Sequence, residues 1–316
     1  MLGRSAPMRE VHRLIEQAAA TPAPVLIHGE TGTGKELVAR TLHELSARSG
    51  GPFVAVNCAA MPETLLESEI FGHERGAFTD ARDRREGCFE LAHGGTLLLD
   101  EVAEMQPGTQ AKFLRVLEEG AFRRLGGKAE ITVDVRVVAA TNKDPVAAMK
   151  AGAFREDLYY RLNVFTLAVP PLRQRVEDIP LLVTGFIEEF NRKYDKRITG
   201  VDDPTLAILM SHAWPGNVRE LRNVVERAFV GCDGSLITLA MQTPTPISTV
   251  AARGLDPDAF TVPIGLPLRD VERQFVLRTL AAEHNNKTRA ADRLEISTKT
   301  LHNMLRRWGL LHRSFD

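Results

Sequence analysis

The sequence has 316 residues, enough for two or three domains, with 44% apolar residues to fill their cores and 26% charged residues to cover their surfaces. Its formal net charge of -1 excludes a protein coated in positive charge, so any contact with nucleic acid has to come from a local patch. The C-terminal end offers such a patch, because residues 265–316 carry ten Lys or Arg against six Asp or Glu.

The cysteines and the apolar runs bear on the compartment. Cys58, Cys88 and Cys232 show neither paired spacing nor the spacing of metal ligands, which argues against a disulfide framework and favours a reducing environment. The sequence does not begin with a basic stretch followed by an apolar run, and no window approaches the roughly 18 apolar residues that a membrane span requires. We therefore expect a soluble, cytoplasmic protein.

Short apolar runs alternate with helical patterns over residues 8–168. Because these runs are nearly continuous in apolar residues, they predict a parallel sheet that is buried on both faces and covered by helices. The predicted fold class is therefore α/β. The runs lie at residues 24–28, 53–57, 96–100, 135–141 and 164–168.

The pattern changes after the last of these runs. Strand signals stop between residues 176 and 230, and three amphipathic stretches there predict a small helical subdomain. A stretch rich in Pro and Gly has the composition of a linker, and a last helical block follows it. We divide the chain into an α/β subdomain (1–170), a helical subdomain (171–238), a linker (239–266) and a small all-α domain (267–316).

A glycine-rich loop of the form GxxxxGK follows the first predicted strand and precedes a predicted helix. In this setting the backbone N–H groups wrap phosphates, the helix N-terminus adds a favourable dipole, and the lysine places a positive charge on the β- and γ-phosphates. Glu36 replaces the Ser or Thr that usually ligates Mg²⁺, so the metal has to rely on water and an acidic partner elsewhere. The predicted ATP-binding residues are Gly29, Glu30, Thr31, Gly32, Thr33, Gly34, Lys35 and Glu36.

Two carboxylates end the apolar run 96–100 in the pattern of a Walker B pair. Asp100 is predicted to bind the nucleotide's Mg²⁺, partly through water, and Glu101 to polarise the water that attacks the γ-phosphate. Alone, the pair could be a solvated end of a buried strand. Downstream of a P-loop it predicts ATP hydrolysis rather than binding alone.

Residues 71–81 read Phe-Gly-His-Glu-Arg-Gly-Ala-Phe-Thr-Asp-Ala, which resembles the GAFTGA loop of sigma-54-dependent transcriptional activators, also called bacterial enhancer-binding proteins. The resemblance runs from about residue 3 to residue 230 and includes segments 56–60, 122–127, 154–162, 170–175 and 214–221. It implies an AAA+ ATPase, and this family usually has Glu at the position of Glu36.

In this family the GAFTGA loop extends above the ring and presses on sigma-54 when ATP is bound, and segment 122–127 matches a loop that moves beside it. Asp80 stands where the family has its second glycine. Asp tolerates left-handed backbone geometry better than most residues, but its charge alters the tip of the loop. The residues expected to contact sigma-54 are Gly76, Ala77, Phe78, Thr79, Asp80 and Ala81.

Three polar residues receive roles from the resemblance within one subunit. Asn57 matches a switch asparagine that holds Glu101 until the γ-phosphate is sensed, and Asn142 matches a polar sensor near the γ-phosphate. Each could instead be an asparagine that satisfies a turn. Arg219, in the segment 214–221, matches a second sensor that couples the position of the lid to the nucleotide.

Arg155 and Arg161 match the arginines that reach into the ATP site of the neighbouring subunit. Arginines that act in trans neutralise charge in the transition state, so the resemblance implies a ring, a hexamer by analogy, with active sites at its interfaces. Without the resemblance, either side chain would be read as an ordinary surface or ion-pair arginine.

The apolar spacing of residues 287–308 predicts two short helices around a tight turn, with Ser297 as the N-cap of the second helix. The pattern resembles the Fis-type helix-turn-helix that ends most sigma-54 activators; the alternative is a three-helix scaffold with a solvated charged face. A preceding helix over 268–282 is expected to form a dimer interface and so to give two half-sites on DNA. The residues expected to contact DNA are Thr298, Lys299, His302, Asn303 and Arg306.

We therefore expect an ATPase, with ATP and Mg²⁺ as cofactors, that binds upstream DNA and remodels RNA polymerase carrying sigma-54. One alternative is a DNA-bound repressor or co-regulator that keeps the ATP fold without engaging sigma-54, which Asp80 favours. Another is a metabolic P-loop kinase, against which the Asp100-Glu101 pair, the trans arginines and the DNA-binding module argue.

Overall fold

The structure is a computed structural model that describes residues 3–78, 81, 83–232, 234–238, 268–283 and 286–308. The chain divides into two compact units, Met1–Met241 and Gln242–Asp316, and each is described by itself. The predicted linker at 239–266, Thr79 and Asp80 all lie outside the described residues. Among the described helices, none combines the length and the apolar character needed to cross a membrane.

Five parallel strands form the central sheet of the first unit, in the order β2 (Phe53–Asn57), β3 (Thr96–Asp100), β6 (Arg136–Thr141), β1 (Val25–His28) and β7 (Phe165–Ala168). This confirms the predicted parallel sheet, and each of its strands begins within one residue of its predicted start. The strands of this unit are β1 (Val25–His28), β2 (Phe53–Asn57), β3 (Thr96–Asp100), β4 (Ala121–Phe122), β5 (Ile131–Thr132), β6 (Arg136–Thr141), β7 (Phe165–Ala168), β8 (Gly200–Val201) and β9 (Leu236–Ile237).

Helices cover both faces of this sheet, as its apolar strands require. Leu98 of β3 packs into one core cluster, whereas its neighbours Leu97 and Leu99 pack into the cluster on the other face. The helices of the α/β part are α1 (Ala6–Ala19), α2 (Lys35–Glu44), α3 (Glu63–Phe71), α4 (Cys88–Leu91), α5 (Pro107–Glu119), α6 (Pro145–Lys150) and α7 (Glu156–Leu162).

The carboxyl ends of the parallel strands all lie at one edge of the sheet. The glycine-rich loop follows β1 there, Asn57 ends β2, Asp100 ends β3, and Asn142 follows β6. The topology therefore brings together polar residues that are far apart in the sequence.

The helical subdomain, residues 171–238, is called the lid below. Its three helices pack around a separate core: α8 (Ile179–Tyr194), α9 (Asp203–Ser211) and α10 (Asn217–Val230). This confirms the three helical stretches predicted here. The prediction that strands stop after residue 176 is wrong, because β8 pairs in parallel with β9. Each of these strands has only two residues, which is too short for an alternating pattern to appear in the sequence.

A buried carboxylate ties the start of the chain to the lid. Asp178 accepts hydrogen bonds from the backbone N–H groups of Arg4 (2.6 Å) and Ser5 (2.8 Å) and from the Ser5 hydroxyl (2.7 Å). Nearby, the buried Arg175 donates to the Thr33 carbonyl at 2.8 Å. The segment before α1, residues 175–178 of the lid and the glycine-rich loop are therefore held against one another.

The second unit contains α11 (Leu268–Ala282), α12 (Lys287–Arg293) and α13 (Thr298–Arg307), packed around Val276, Leu280, Ala290, Ala291, Leu301 and Leu305. Asn286 caps α12, and the hydroxyl of Ser297 accepts from the Thr300 N–H at 3.1 Å at the start of α13. The two helices around a turn, and Ser297 as the N-cap, are confirmed.

Candidate functional site

The loop between β1 and α2 is shaped to receive an anion. Gly32 and Gly34 have φ values of 80° and 102°, a left-handed geometry that glycine adopts without strain. In the described part of the chain, the backbone N–H groups of Gly32, Gly34, Lys35 and Glu36 have no hydrogen-bond acceptor. Successive N–H groups left unpaired at a helix N-terminus fit the phosphates of a nucleotide.

Lys35 lies beneath this loop with only 6% of its side chain exposed. Its Nζ donates to the Gly29 carbonyl at 2.9 Å and lies 3.3 Å from Oε1 of Glu101. Burial and the charge of Glu101 raise the pKa of Asp100, and the charge of Lys35 opposes them. One cation therefore pairs with Glu101 and favours the ionised form of the adjacent Asp100.

Asn142 brings a second contact to Glu101. Its backbone N–H donates to Oε2 of Glu101 at 2.8 Å, while its side-chain Nδ2 donates to the hydroxyl of Thr31 at 3.0 Å. The left-handed backbone of Glu101 (φ 57°) turns its side chain toward these partners and away from the strand. The predicted sensor, the predicted catalytic carboxylate and the glycine-rich loop are thus in direct contact.

The resemblance implied that Asn57 holds Glu101, but in the structure its side chain contacts Asp100 instead. Its Nδ2 donates to Oδ2 of Asp100 at 3.2 Å, and its Oδ1 accepts from the N–H of Ala59. The reason is register: β2 and β3 pair Asn57 with Asp100, which places the two side chains next to each other at the strand ends. Asn57 therefore orients Asp100, the predicted metal ligand.

Glu36 forms an ion pair with Arg40, one turn along α2, at 2.8 Å. The described residues contain no cluster of three or more His, Cys, Asp or Glu that could enclose a metal ion. The available protein ligand at the strand ends is Asp100. One carboxylate completed by phosphates and water is a donor set that suits Mg²⁺.

The two predicted trans arginines lie at the surface around α7. Arg155 pairs with Asp157 at 2.6 Å, and Arg161 donates to the Leu117 carbonyl at 3.1 Å. Within the described residues, neither contacts the glycine-rich loop of its own chain. Tyr160, between them in sequence, exposes 65% of its surface.

The lid reaches the glycine-rich loop at the start of α10. The N–H of Arg219 donates to the Gly32 carbonyl at 3.3 Å. The predicted second sensor is therefore placed at the nucleotide loop rather than on a remote face of the lid.

The loop that resembles GAFTGA is closed at its base. The N–H of Gly76 donates to the Ala81 carbonyl at 2.8 Å, and the N–H of Ala81 donates to the Phe78 carbonyl at 3.0 Å. Phe78 exposes 36% of its surface and packs its ring edge-on against His73 at 5.0 Å. Thr79 and Asp80, which the sequence assigns to this loop, are outside the described residues.

Segment 122–127 packs against the base of that loop. Arg124 donates from Nη1 to Glu74 at 2.7 Å and from Nε to Glu90 at 2.8 Å, and its Nη2 also contacts Glu90. A side chain on Gly126 would collide with Ala77, since an ideal Cβ there lies 2.9 Å from the Ala77 Cβ. The two loops are therefore joined by charge and by shape.

All five residues predicted to contact DNA are exposed on or at the start of α13: Thr298, Lys299, His302, Asn303 and Arg306. The opposite side of the helix buries Leu301 and Leu305 in the core of the second unit. The helix thus presents a polar and basic surface of the kind that enters a major groove.

Two further residues at the nucleotide loop did not emerge from the sequence. Asn217 donates to the Thr31 carbonyl and to Glu30, and Arg173 pairs with Glu30 at 2.6 Å. These hydrogen bonds, from Arg173 first and then Asn217, lower the pKa of Glu30 to about 2. Both residues lie in segments that carry the resemblance, 170–175 and 214–221, but their partners could only be identified in three dimensions.

Comparison with known proteins covers most of the chain. The sequence profile of the Sigma-54 interaction domain matches residues 1–168, that of an AAA+ ATPase lid domain matches residues 173–248, and that of the Bacterial regulatory protein, Fis family, matches residues 267–308. The first profile spans residue 80, so the altered loop does not separate the chain from the family, and the repressor alternative is not favoured.

Similar curated proteins are transcriptional and nitrogen-fixation regulators. Regulatory protein AtoC of Escherichia coli is 45% identical over 98% of this chain and 68% of its own length. Nitrogen fixation protein AnfA of Azotobacter vinelandii is 44% identical over 100% of this chain and 58% of its length. The Nif-specific regulatory protein of Herbaspirillum seropedicae is 52% identical over 75% of this chain and 44% of its length. The chain therefore spans about half to two thirds of these relatives.

Solved structures agree with this assignment. The crystal structure of NtrX from Brucella abortus matches 98% of this chain and 69% of its own chain at 36% identity, with a TM-score of 0.73. The structure of NtrX in complex with ATP matches the same shares at 35% identity, with a TM-score of 0.71. With its ATPase, lid and Fis-type modules, the chain belongs to the family of sigma-54-dependent transcriptional activators.

Proposed function

We propose that this chain hydrolyses ATP at the interfaces of a ring, binds upstream DNA through α13, and uses the hydrolysis cycle to remodel RNA polymerase carrying sigma-54. The observation that carries the proposal is the hydrogen-bonded cluster of Lys35, Glu101, Asn142 and Thr31 at the carboxyl ends of the parallel strands. It supports the proposal because a cation, the proposed general base and the proposed sensor lie beside the loop whose N–H groups have no acceptor among the described residues.

The contacts of Lys35 suggest how this site changes when the nucleotide binds. Lys35 is paired with Glu101 at 3.3 Å. Phosphates seated on the loop compete for the ammonium group, and once Lys35 turns to them Glu101 is free to accept a proton from the attacking water. Asn142 stays bonded to Glu101 through its backbone, so the carboxylate keeps its direction.

Asp100, oriented by Asn57, is the residue proposed to hold Mg²⁺. The ion, when bound, would neutralise charge on the β- and γ-phosphates. Asp100 needs to be ionised for this role, and the charge of Lys35 favours that form against the effect of burial.

Arg155 and Arg161 are proposed to complete the active site of the adjacent subunit. Both guanidinium groups are at the surface, and neither contacts a P-loop residue of its own chain among the described residues. A guanidinium supplied in trans stabilises transition-state charge and makes turnover depend on assembly.

The base of the 76–81 loop is proposed to transmit the state of the site to sigma-54. Arg124 joins it to segment 122–127, and the half-exposed Phe78 offers an apolar surface to a partner. The residues proposed to contact sigma-54 are Gly76, Ala77, Phe78, Thr79, Asp80 and Ala81, and those proposed to contact DNA are Thr298, Lys299, His302, Asn303 and Arg306.

The proposed hydrolysis is tested by Glu101→Gln, which keeps the shape of the side chain and one of its two accepting oxygens but removes the base. We expect turnover to fall by about 10²–10⁴-fold, the usual contribution of general-base catalysis, while ATP still binds. Glu104→Gln is the matched control, because Glu104 pairs with Lys143 at the surface and should tolerate the change. Unchanged turnover in Glu101→Gln would remove Glu101 from its assigned role.

A further inference from the structure

A buried asparagine lies where the lid meets the glycine-rich loop. Asn217, the first residue of α10, is fully buried and has a left-handed backbone with φ 53°. Its Oδ1 accepts from the N–H of Leu172 at 2.8 Å. Its Nδ2 donates to the Thr31 carbonyl and to Oε2 of Glu30, both at 3.1 Å. One amide group therefore joins the first turn of the lid to the nucleotide loop.

The surrounding backbone leaves little room for this contact to shift. An ideal Cβ on Gly32 would lie 2.3 Å from the Gly216 carbonyl oxygen, a distance that real atoms do not reach. The N–H of Arg219 also donates to the Gly32 carbonyl at 3.3 Å. The N-terminus of α10 and the glycine-rich loop therefore move together for as long as these contacts hold.

Thr31 extends the contact to the catalytic carboxylate. Its carbonyl accepts from Asn217, while its hydroxyl accepts from Nδ2 of Asn142 at 3.0 Å. The backbone N–H of Asn142 in turn donates to Glu101 at 2.8 Å. A continuous line of hydrogen bonds thus runs from Leu172 in the lid to Glu101.

We propose that Asn217 is a positioning residue that couples the lid to Glu101 through Thr31 and Asn142. The inference rests on the proposed ATPase function and adds the element that aligns its base. Asparagine suits the position for two reasons: it tolerates left-handed geometry better than most residues, and its amide both donates and accepts. An aspartate could still accept from Leu172 but could not donate to Thr31 or Glu30.

The test uses the full chain and a fluorescent reporter that is already present. Trp214 is buried in the lid, and its carbonyl accepts from the N–H of Asn217 at 2.9 Å. The chain has two tryptophans, so Trp308→Phe leaves Trp214 as the single reporter. Asn217→Gly in this background removes the amide without straining the backbone. Asn217→Asp keeps the acceptor for Leu172 but replaces the donor with a carboxylate oxygen that faces Glu30 and the Thr31 carbonyl.

Asn191→Ala is the matched control. Asn191 is another lid asparagine, and it bridges the N–H (2.9 Å) and carbonyl (2.7 Å) of Ile198, with no contact to the glycine-rich loop among its hydrogen bonds. Asn191→Ala should lower the urea midpoint of unfolding to a degree similar to that of Asn217→Gly. It should leave kcat within about twofold of the parent, because the line to Glu101 is intact.

For Asn217→Gly we expect kcat to fall about tenfold. This is the order expected when the two hydrogen bonds from Asn217 to the glycine-rich loop, at Thr31 and Glu30, no longer help to align the base. The Kd for a non-hydrolysable ATP analogue should change by less than about threefold, since the phosphate contacts remain. The change in Trp214 emission on adding the analogue should be lost, and Asn217→Asp should behave like Asn217→Gly.

The proposal would be overturned if Asn217→Gly lowered the urea midpoint but kept the kcat and the Trp214 response of the parent. Asn217 would then have a structural role only. A parent that shows no turnover would instead refute the proposed function. In that case the Trp214 response to the analogue, compared between the parent and Asn217→Gly, still decides whether the lid and the loop are coupled.

Discussion

Arg124 provides a quantitative test of how the two loops are held together. Its side chain is 9% exposed, and it pairs with Glu90, which is 12% exposed, and with the more exposed Glu74. Replacing Arg124 by Met removes the guanidinium but keeps most of the apolar stem. Breaking a buried pair by removing one partner costs about 3–5 kcal/mol, and the more exposed pair adds at most about 1 kcal/mol. We expect Arg124→Met to lower the free energy of unfolding by about 3 kcal/mol, near the lower end of that range, because neither partner in the Glu90 pair is fully buried.

The pH dependence of this loss follows from the pKa of Glu90. Burial raises that pKa, but the hydrogen bonds and charge of Arg124, together with the Gly87 N–H and the charge of Arg84, outweigh burial, so the pKa lies below its ordinary value of 4.5. In the parent, this group therefore contributes stability above pH 4.5 that is lost as the pH falls through the folded-state pKa. Without Arg124, burial is opposed only by the Gly87 N–H and the charge of Arg84, so the pKa of Glu90 rises relative to the parent and the stability that this group contributes above pH 4.5 shrinks.

Urea unfolding of the full chain, followed by circular dichroism from pH 4 to pH 7, measures both effects. The difference in the free energy of unfolding between the parent and Arg124→Met should be largest at pH 7 and should shrink toward pH 4. Adding Glu90→Gln to the variant should recover part of the loss, because it removes the unpaired charge. Lys112→Met is the control, since Lys112 pairs with Glu67 while half exposed. A loss below about 1 kcal/mol that does not vary with pH would refute the reasoning.

Two predictions concern the second unit. Ser297→Ala removes the N-cap of α13 and should lower the free energy of unfolding of that unit by about 1 kcal/mol, with Ser297→Asp restoring it; equal melting of all three chains would contradict the cap's contribution. Lys299→Ala and Arg306→Ala should each weaken DNA binding and, where the side chain neutralises a phosphate, reduce the slope of log K against log salt by about 1. Binding assays over a salt series check this, and unaltered affinity in both would show that α13 is misassigned.

Much of the fold could be predicted because its signals are local. The strands at 53–57 and 96–100 were predicted at the bounds that the structure has, since each is a nearly continuous apolar run that ends at a polar residue. The glycine-rich loop and Ser297 were recognised because residue type and spacing alone determine their geometry.

The features that the sequence did not reveal depend on contacts between distant residues. Asn57 contacts Asp100 because of the register of two strands, which neither strand encodes by itself. The β8–β9 pairing joins two-residue segments that lie 36 positions apart. Asn217 follows Pro215-Gly216, a local turn signal that fits its left-handed backbone, but its partners Thr31 and Glu30 are more than 180 residues away and no local signal indicates them.

The central claim is that ATP is hydrolysed at a boundary between protomers, and mixing two inactive variants tests it most directly. Lys35→Ala disables a subunit's own site but keeps its arginines, and the double variant Arg155→Ala/Arg161→Ala has the opposite defect. If the subunits mix at random, about one interface in four combines an intact site with intact arginines, so the equimolar mixture should regain about a quarter of parental turnover per subunit. A mixture no more active than its separate components would contradict the account.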